Sequence, residues 1–171
     1  MGEFADRDAF DVAHSSSAQL VIFLIQSFLD GKNPAAAGHV ATQPDELRAR
    51  VKRFAVRVLM FVKTLPHGPA TDEIARQLSG AALGVSGNYH SAGRSRSHAE
   101  FTARMGVVAD EAGESEHWLE VIADTKIASG PEFDWLLNES HELRAIFVKG
   151  SITARANRAK FALQSKRRRP S

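Results

Sequence analysis

The stretch Leu136-Leu-Asn-Glu-Ser140-His-Glu-Leu143-Arg-Ala-Ile-Phe147-Val-Lys-Gly150-Ser-Ile-Thr-Ala154-Arg-Ala-Asn157-Arg-Ala-Lys-Phe161 decides the fold. Its numbered positions are separated by alternating steps of four and three, close to a heptad seam. That spacing places them along one face of a helix, and Leu137 and Ile146 broaden the stripe. The same period recurs three times upstream. Phe101, Met105, Val108, Ala112, Ser115, Leu119 and Ile122 form one stripe, widened by Trp118 and Val121. Ile74, Leu78, Ala81, Ala82, Val85, Tyr89 and Ala92 form another, and Leu47, Val51, Phe54, Ala55, Val58, Val62 and Leu65 a third.

Stop and start signals separate the stripes. Pro44 and Asp45 open the first and Pro66-His-Gly-Pro69 closes it; Thr71-Asp-Glu offers a cap for the second. Ser97 with Glu100 fits a capping box for the third, which Ala128-Ser-Gly-Pro131 closes. Helices joined by short loops pack antiparallel with their chain neighbours. The spacing therefore predicts an all-α, antiparallel up-down-up-down four-helix bundle over residues 45–162. A basic tail, 163–171, follows it, and residues 1–44 read as an N-terminal extension and linker. The apolar run Leu20–Ile25 in that extension is too short to span a membrane, which takes about 20 residues. The acidic residues before it are unlike a secretory leader. The expectation is a cytoplasmic protein without a membrane anchor.

The second helix is dense in small residues: Ser79, Gly80, Gly84, Ser86 and Gly87 join its alanines. Each glycine inside a helix costs roughly 1 kcal/mol against alanine. Close approach of a neighbouring helix would compensate for this; a functional kink is the other account.

Charge is segregated along the chain. The 22 basic and 20 acidic residues of the whole give a net +2. Residues 45–96 carry nine basic and four acidic residues, 97–142 two and eleven, and 143–171 nine and none. Surfaces of opposite sign are expected, and they govern association.

Most catalytic chemistries lack their residues here. The absence of cysteine removes disulfides, thiolate nucleophiles and cysteine-ligated metals. A buried di-iron site needs Glu-x-x-His on two helices and a glutamate on each of the others. Glu114-Ser-Glu-His117 meets the spacing once, and Asn138 stands where the second motif needs glutamate. Gly84-Val-Ser86-Gly-Asn88 lacks the final glycine of a nucleophile elbow, and no strand precedes it. Glu111 and Glu114 could form an acid–base pair, although a salt bridge to an arginine of helix one or two is the commoner outcome. The reading is of a non-enzyme without cofactor or metal.

What remains is basic. Arg48, Arg50, Lys52, Arg53 and Arg57 line the first helix, and Arg94 and Arg96 lie between the second and third. Lys149, Arg155, Arg158, Lys160, Lys166, Arg167, Arg168 and Arg169 dominate the C-terminus. Such residues neutralise phosphates by counterion release. Without interleaved aromatic residues to stack bases, contact would be to the RNA or DNA backbone. Solubilising charge and pairing between helices is the plainer account of the same residues.

The segments Gly87-Asn-Tyr-His-Ser-Ala-Gly-Arg-Ser-Arg-Ser-His-Ala-Glu-Phe101 and Glu111-Ala-Gly-Glu-Ser-Glu-His-Trp-Leu119 resemble the bacterial four helix bundle protein family. Some of its members are encoded in intervening sequences of 23S ribosomal RNA genes. The resemblance spans residues 47–160. It implies a non-enzymatic antiparallel bundle that assembles as a homo-pentamer. A related group, the accessory variability determinants of diversity-generating retroelements, contacts nucleic acid and a reverse transcriptase. By that likeness the partners would be further copies of the chain and RNA or DNA. The alternative is an oligomeric scaffold that binds a protein such as a reverse transcriptase without touching nucleic acid. Many family members carry an acidic residue where this chain has Ser91, so a role resting on that carboxylate does not carry over. Gly80, Gly84, Gly87, Tyr89, Glu111, Glu114 and Trp118 are the expected subunit-interface residues, with acidic helix three of one protomer facing basic helix one or four of the next.

Overall fold

The structure is a computed structural model. It describes the backbone of residues 43–167 and the side chains of residues 45–160 and of Ala162. The extension over residues 1–42, Arg168 and Arg169 lie outside the described residues, as do the side chains of Phe161, Lys166 and Arg167. Four α-helices follow in order: α1 (Gln43–Phe61), α2 (Pro69–Ala92), α3 (His98–Thr125) and α4 (Pro131–Arg167). No strand occurs among the described residues.

Each chain neighbour packs on the next, and α4 returns to α1. The contacts run in opposite senses. Arg50 of α1 meets Glu139 of α4 while Arg57 meets Glu132. Thr102 of α3 reaches Ala154 of α4 while Glu116 meets Arg144. The architecture is thus the antiparallel four-helix bundle that the stripes predict. No helix among the described residues is long and apolar enough to cross a membrane.

The core follows the heptad-like positions. Every residue of the second and third stripes is buried, as are Leu136, Ser140, Leu143, Phe147, Gly150 and Ala154 of the fourth. Asn157 is half-buried. Tyr89 and Phe147 pack ring to ring at 5.2 Å at the centre. Buried hydroxyls bond within their own helices: Ser115 donates to the Glu111 carbonyl (3.0 Å) and Ser140 to that of Leu137 (2.7 Å).

The stripes mislead at two places. Val62 is only half-buried, whereas Phe61, outside the stripe, is buried and stacks on Phe133 at 5.7 Å. After Phe61 the chain tightens into a 3₁₀ turn, Val62–Thr64. Three residues per turn instead of 3.6 shift the phase and bring Leu65 inward. The second helix also starts earlier than Thr71 suggests. Pro69 sits in its first turn, where a missing N–H costs nothing, and Asp72 N–H donates to the Gly68 carbonyl at 2.8 Å.

The third helix opens as expected. Ser97 caps it by accepting the Glu100 N–H (3.1 Å), and Glu100 reaches back to the N–H of Arg96 (2.9 Å) rather than that of Ser97. The fourth helix continues past Phe161 as far as Arg167, into the segment expected as a tail.

Candidate nucleic-acid interface

Antiparallel packing converts charge segregated along the chain into charge segregated in space. In the α3–α4 hairpin, the half nearest its loop (108–142) carries ten acidic residues and one basic one, Lys126. The open half (98–107 and 143–160) carries six basic residues and one acidic one, Glu100. Arg94 and Arg96 of the α2–α3 turn join that open end. Arg48 of α1 brings its guanidinium against Gly93 of the same turn. One end of the molecule is therefore basic.

The basic residues expected to meet phosphate fall into two groups. Arg57 is taken up inside the protomer: it donates to Glu132 at 2.8 Å and 2.5 Å, and its guanidinium lies 3.4 Å above the Trp135 ring. The bond to Glu132 holds the Arg57 pKa above its ordinary value and that of Glu132 below its own. Arg57 is on this account a seam residue, a correction to its place among the phosphate contacts. Arg48 pairs with Asp45 at 3.0 Å and is a third exposed.

Lys52, Arg53, Arg96, Arg155, Arg158 and Lys160 are exposed and have no ion-pair partner among the described residues. Lys149 is half-buried. Arg94 is exposed and donates to a ring nitrogen of His90.

The expected interface residues also divide. Gly80 and Gly87 are exposed, and a Cβ on either would meet nothing within 4 Å. The close approach expected to compensate for the glycines occurs within the protomer only at Gly84. There the Glu111 carboxyl lies so near that a Cβ would stand 2.4 Å from its carbon. Burial, reinforced by Glu114 and Asp110, pushes the Glu111 carboxyl above the usual range. Neither Glu111 nor Glu114 has an ion-pair partner among the described residues, so the expected bridge to helix one or two is not made.

Tyr89 faces the core rather than the surface, because its step along α2 matches that of Val85 and Ala82. Its hydroxyl has no hydrogen-bond partner among the described residues, and burial raises its pKa. Trp118 is half-buried beside Glu114, with His117 at its ring edge, 5.1 Å away.

The pairing across α1–α4 and α3–α4 is not visible in either sequence segment alone. Arg50, one of the basic residues lining the first helix, grips Glu139 in two bonds (2.7 Å and 2.8 Å) and also reaches Glu142. These bonds, Glu139 first, hold its pKa well above the ordinary value. Arg144 meets Glu116 at 2.9 Å. Burial nevertheless raises the Glu116 carboxyl, outweighing Arg144 and His141. Glu116, Glu120 and His141 gather donor atoms within 4.8 Å of one another, the one such trio among the described residues. Arg144 already supplies the cation there. Glu114 and His117, which carried the di-iron spacing, are both exposed. Ser86 lies inside α2, away from any strand-to-helix elbow.

No protein-family model matches this chain, and no curated protein does. Among solved structures it is similar to a protein of unknown function from the S23 ribosomal protein family of Bacteroides thetaiotaomicron. The two share 21% sequence identity at a TM-score of 0.53, over 61% of this chain and 94% of the other. At that identity the likeness speaks for a related small helical fold.

Proposed function

We propose that this chain is a non-enzymatic, homo-oligomeric bundle that binds the phosphate backbone of RNA or DNA through its basic end. We place it with the four helix bundle proteins encoded in 23S rRNA intervening sequences. The observation that carries the reading is the concentration of unpaired arginines at the open end of the α3–α4 hairpin, with the carboxylates drawn to the other half. A polyanion is attracted to the first surface and repelled by the second, which orients the protein on its ligand. Backbone contact without base stacking gives weak sequence preference and steep salt dependence. A mobility-shift titration with RNA and DNA tests this: affinity falls steeply with salt and drops by about one to two orders of magnitude when Arg155 and Arg158 are neutralised. Binding indifferent to both overturns it.

Self-association is supported by apolar side chains left outside the core: Val56 and Met60 on α1, and Leu83 on α2 between Gly80 and Gly87. Lys52 and Arg53 flank the first pair, and Glu111 lies against Gly84 beside Leu83. The basic α1 face of one copy thus complements the acidic α2–α3 face of the next. Such a heterologous contact closes into a ring when its rotation permits, and five copies is the number that the resemblance to the four helix bundle family implies. Light scattering coupled to size-exclusion chromatography counts the subunits; a monomer discards the assembly.

A second reading, a scaffold for another protein, draws on a groove of about 630 Å³ over α3 that includes Trp118, Gly113 and Val148. It requires a partner whose binding survives neutralisation of the basic end.

A further inference from the structure

Ser91, Arg94, Arg96, Glu100 and Arg104 line a concavity of about 290 Å³ at the α2–α3 turn. Three arginines share it with one glutamate. Glu100 is engaged by the Arg96 N–H at 2.9 Å and by Arg104 at 3.2 Å and 3.0 Å. These bonds, that from Arg96 first, hold its pKa below the ordinary value, so it stays ionised. The Arg96 guanidinium makes no hydrogen bond or ion pair among the described residues, although its charge acts on Glu100, and Arg94 donates only to the His90 ring. The cup therefore carries a local excess of two positive charges, and most of its N–H donors are unclaimed.

Its backbone is pinned on both sides. Arg94 N–H donates to the Ser91 carbonyl (3.0 Å) and Ser95 N–H to that of Ala92 (3.1 Å), while the Ser97–Glu100 cap fixes the start of α3. Arg94 and Arg96 on the turn and Arg104 on α3 outnumber the one carboxylate among them, so a further anion lowers their mutual repulsion. Phosphate suits them better than a halide does, because the planar fork of a guanidinium matches two phosphate oxygens at once.

We propose that this cup is a phosphate-binding subsite, in which Arg94, Arg96 and Arg104 close together on one phosphate group of a nucleic-acid strand lying across the basic end. Ser91 adds a hydroxyl to the wall, and Glu100 competes with the phosphate for Arg104. The proposal rests on the nucleic-acid reading for its polymer and on the cup's own geometry for the phosphate. It differs from a general basic patch in one respect: three arginines neutralise one phosphate, not three.

The full chain titrated with a short labelled RNA between about 50 and 200 mM salt tests it. The triple variant R94A/R96A/R104A weakens binding roughly tenfold, and the slope of log affinity against log salt falls by about 1. R96A alone produces most of the loss. Glu100→Gln keeps a side chain able to cap α3, removes the charge in the cup and tightens binding; Glu46→Gln, outside the cup, tightens it less. Inorganic pyrophosphate shifts the Nε resonances of Arg94, Arg96 and Arg104 together in ¹⁵N spectra. Circular dichroism melts verify that each variant is folded.

A slope change of about 3 in the triple variant means three separate contacts and overturns the cup. Unchanged RNA affinity in that variant, with loss in R155A/R158A, also overturns the cup but leaves the nucleic-acid reading standing. Pyrophosphate shifts without RNA binding support the cup and defeat that reading. Silence toward both ligands defeats both.

Discussion

Arginine occurs in two settings in this bundle. In the seam between α1 and α4, Arg50 and Arg57 are each held by glutamates from the opposite helix, and Arg57 also covers Trp135. At the open end of the α3–α4 hairpin, Arg155 and Arg158 have no ion-pair partner among the described residues. The side chains are chemically identical. The difference lies in what the antiparallel register sets opposite them: acidic Glu132, Glu139 and Glu142 in the first case, other basic residues in the second. An arginine answered by a carboxylate is part of the fold; one left unanswered is available to a ligand.

The largest effect that tests this contrast is on stability. Arg50→Ala leaves Glu139, whose side chain is only 10% exposed, without its cation. The expected cost is about 3 kcal/mol, read from urea denaturation. Adding Glu139→Gln recovers part of it, since the penalty comes from the stranded charge. A cost near zero would reduce the seam to an ordinary surface bridge.

The converse effect is on binding. On the proposed function, R155A/R158A is expected to leave the melting temperature unchanged, to weaken RNA binding by about one to two orders of magnitude and to lower the salt slope by about 2. Arg57→Ala, which removes a single charge already answered by Glu132, is expected to leave RNA affinity unchanged.

Smaller effects sharpen the comparison at α2. Gly80→Ala and Gly87→Ala meet no atom within the protomer, so each raises the stability of the isolated bundle by about 0.5–1 kcal/mol. If the α2 face meets another copy, the same variants shift the light-scattering mass toward monomer.

The smallest effect concerns Glu111. Its carboxyl pKa is raised in the fold, first by burial. Folding therefore favours the protonated form, and the ionised form weakens the bundle at pH above that raised value. Glu111→Gln is expected to raise the melting temperature by about 1 °C at neutral pH. The gain fades as pH falls into the ordinary carboxylate range, where Glu111 itself becomes neutral. Glu132 has the opposite sign: Arg57 holds its pKa low, so its contribution is present at neutral pH and lost on acidification.

The four stripes were legible because helix burial repeats every three or four residues whatever the partner. The exceptions, Phe61 and Val62, lie where a 3₁₀ turn changes the local period, which no helical template anticipates. The site was less legible. The basic residues could be counted in the sequence, but Arg57 and the unpaired Arg155 look alike there. Arg104, embedded in an acidic segment, gave no signal that it would join Arg94 and Arg96. The expected Glu111 bridge was plausible by spacing and is not made, because the carboxyl turns against Gly84.

By itself the sequence determined four amphipathic helices, the places where the chain turns and the uneven distribution of charge along it. These are local properties, fixed by side-chain periodicity, by proline and glycine, and by composition. Only the tertiary structure decided which charges cancel and which remain, because that depends on the register of one helix against another. The end-to-end polarity of the bundle is a product of antiparallel folding acting on a chain whose acidic and basic runs alternate.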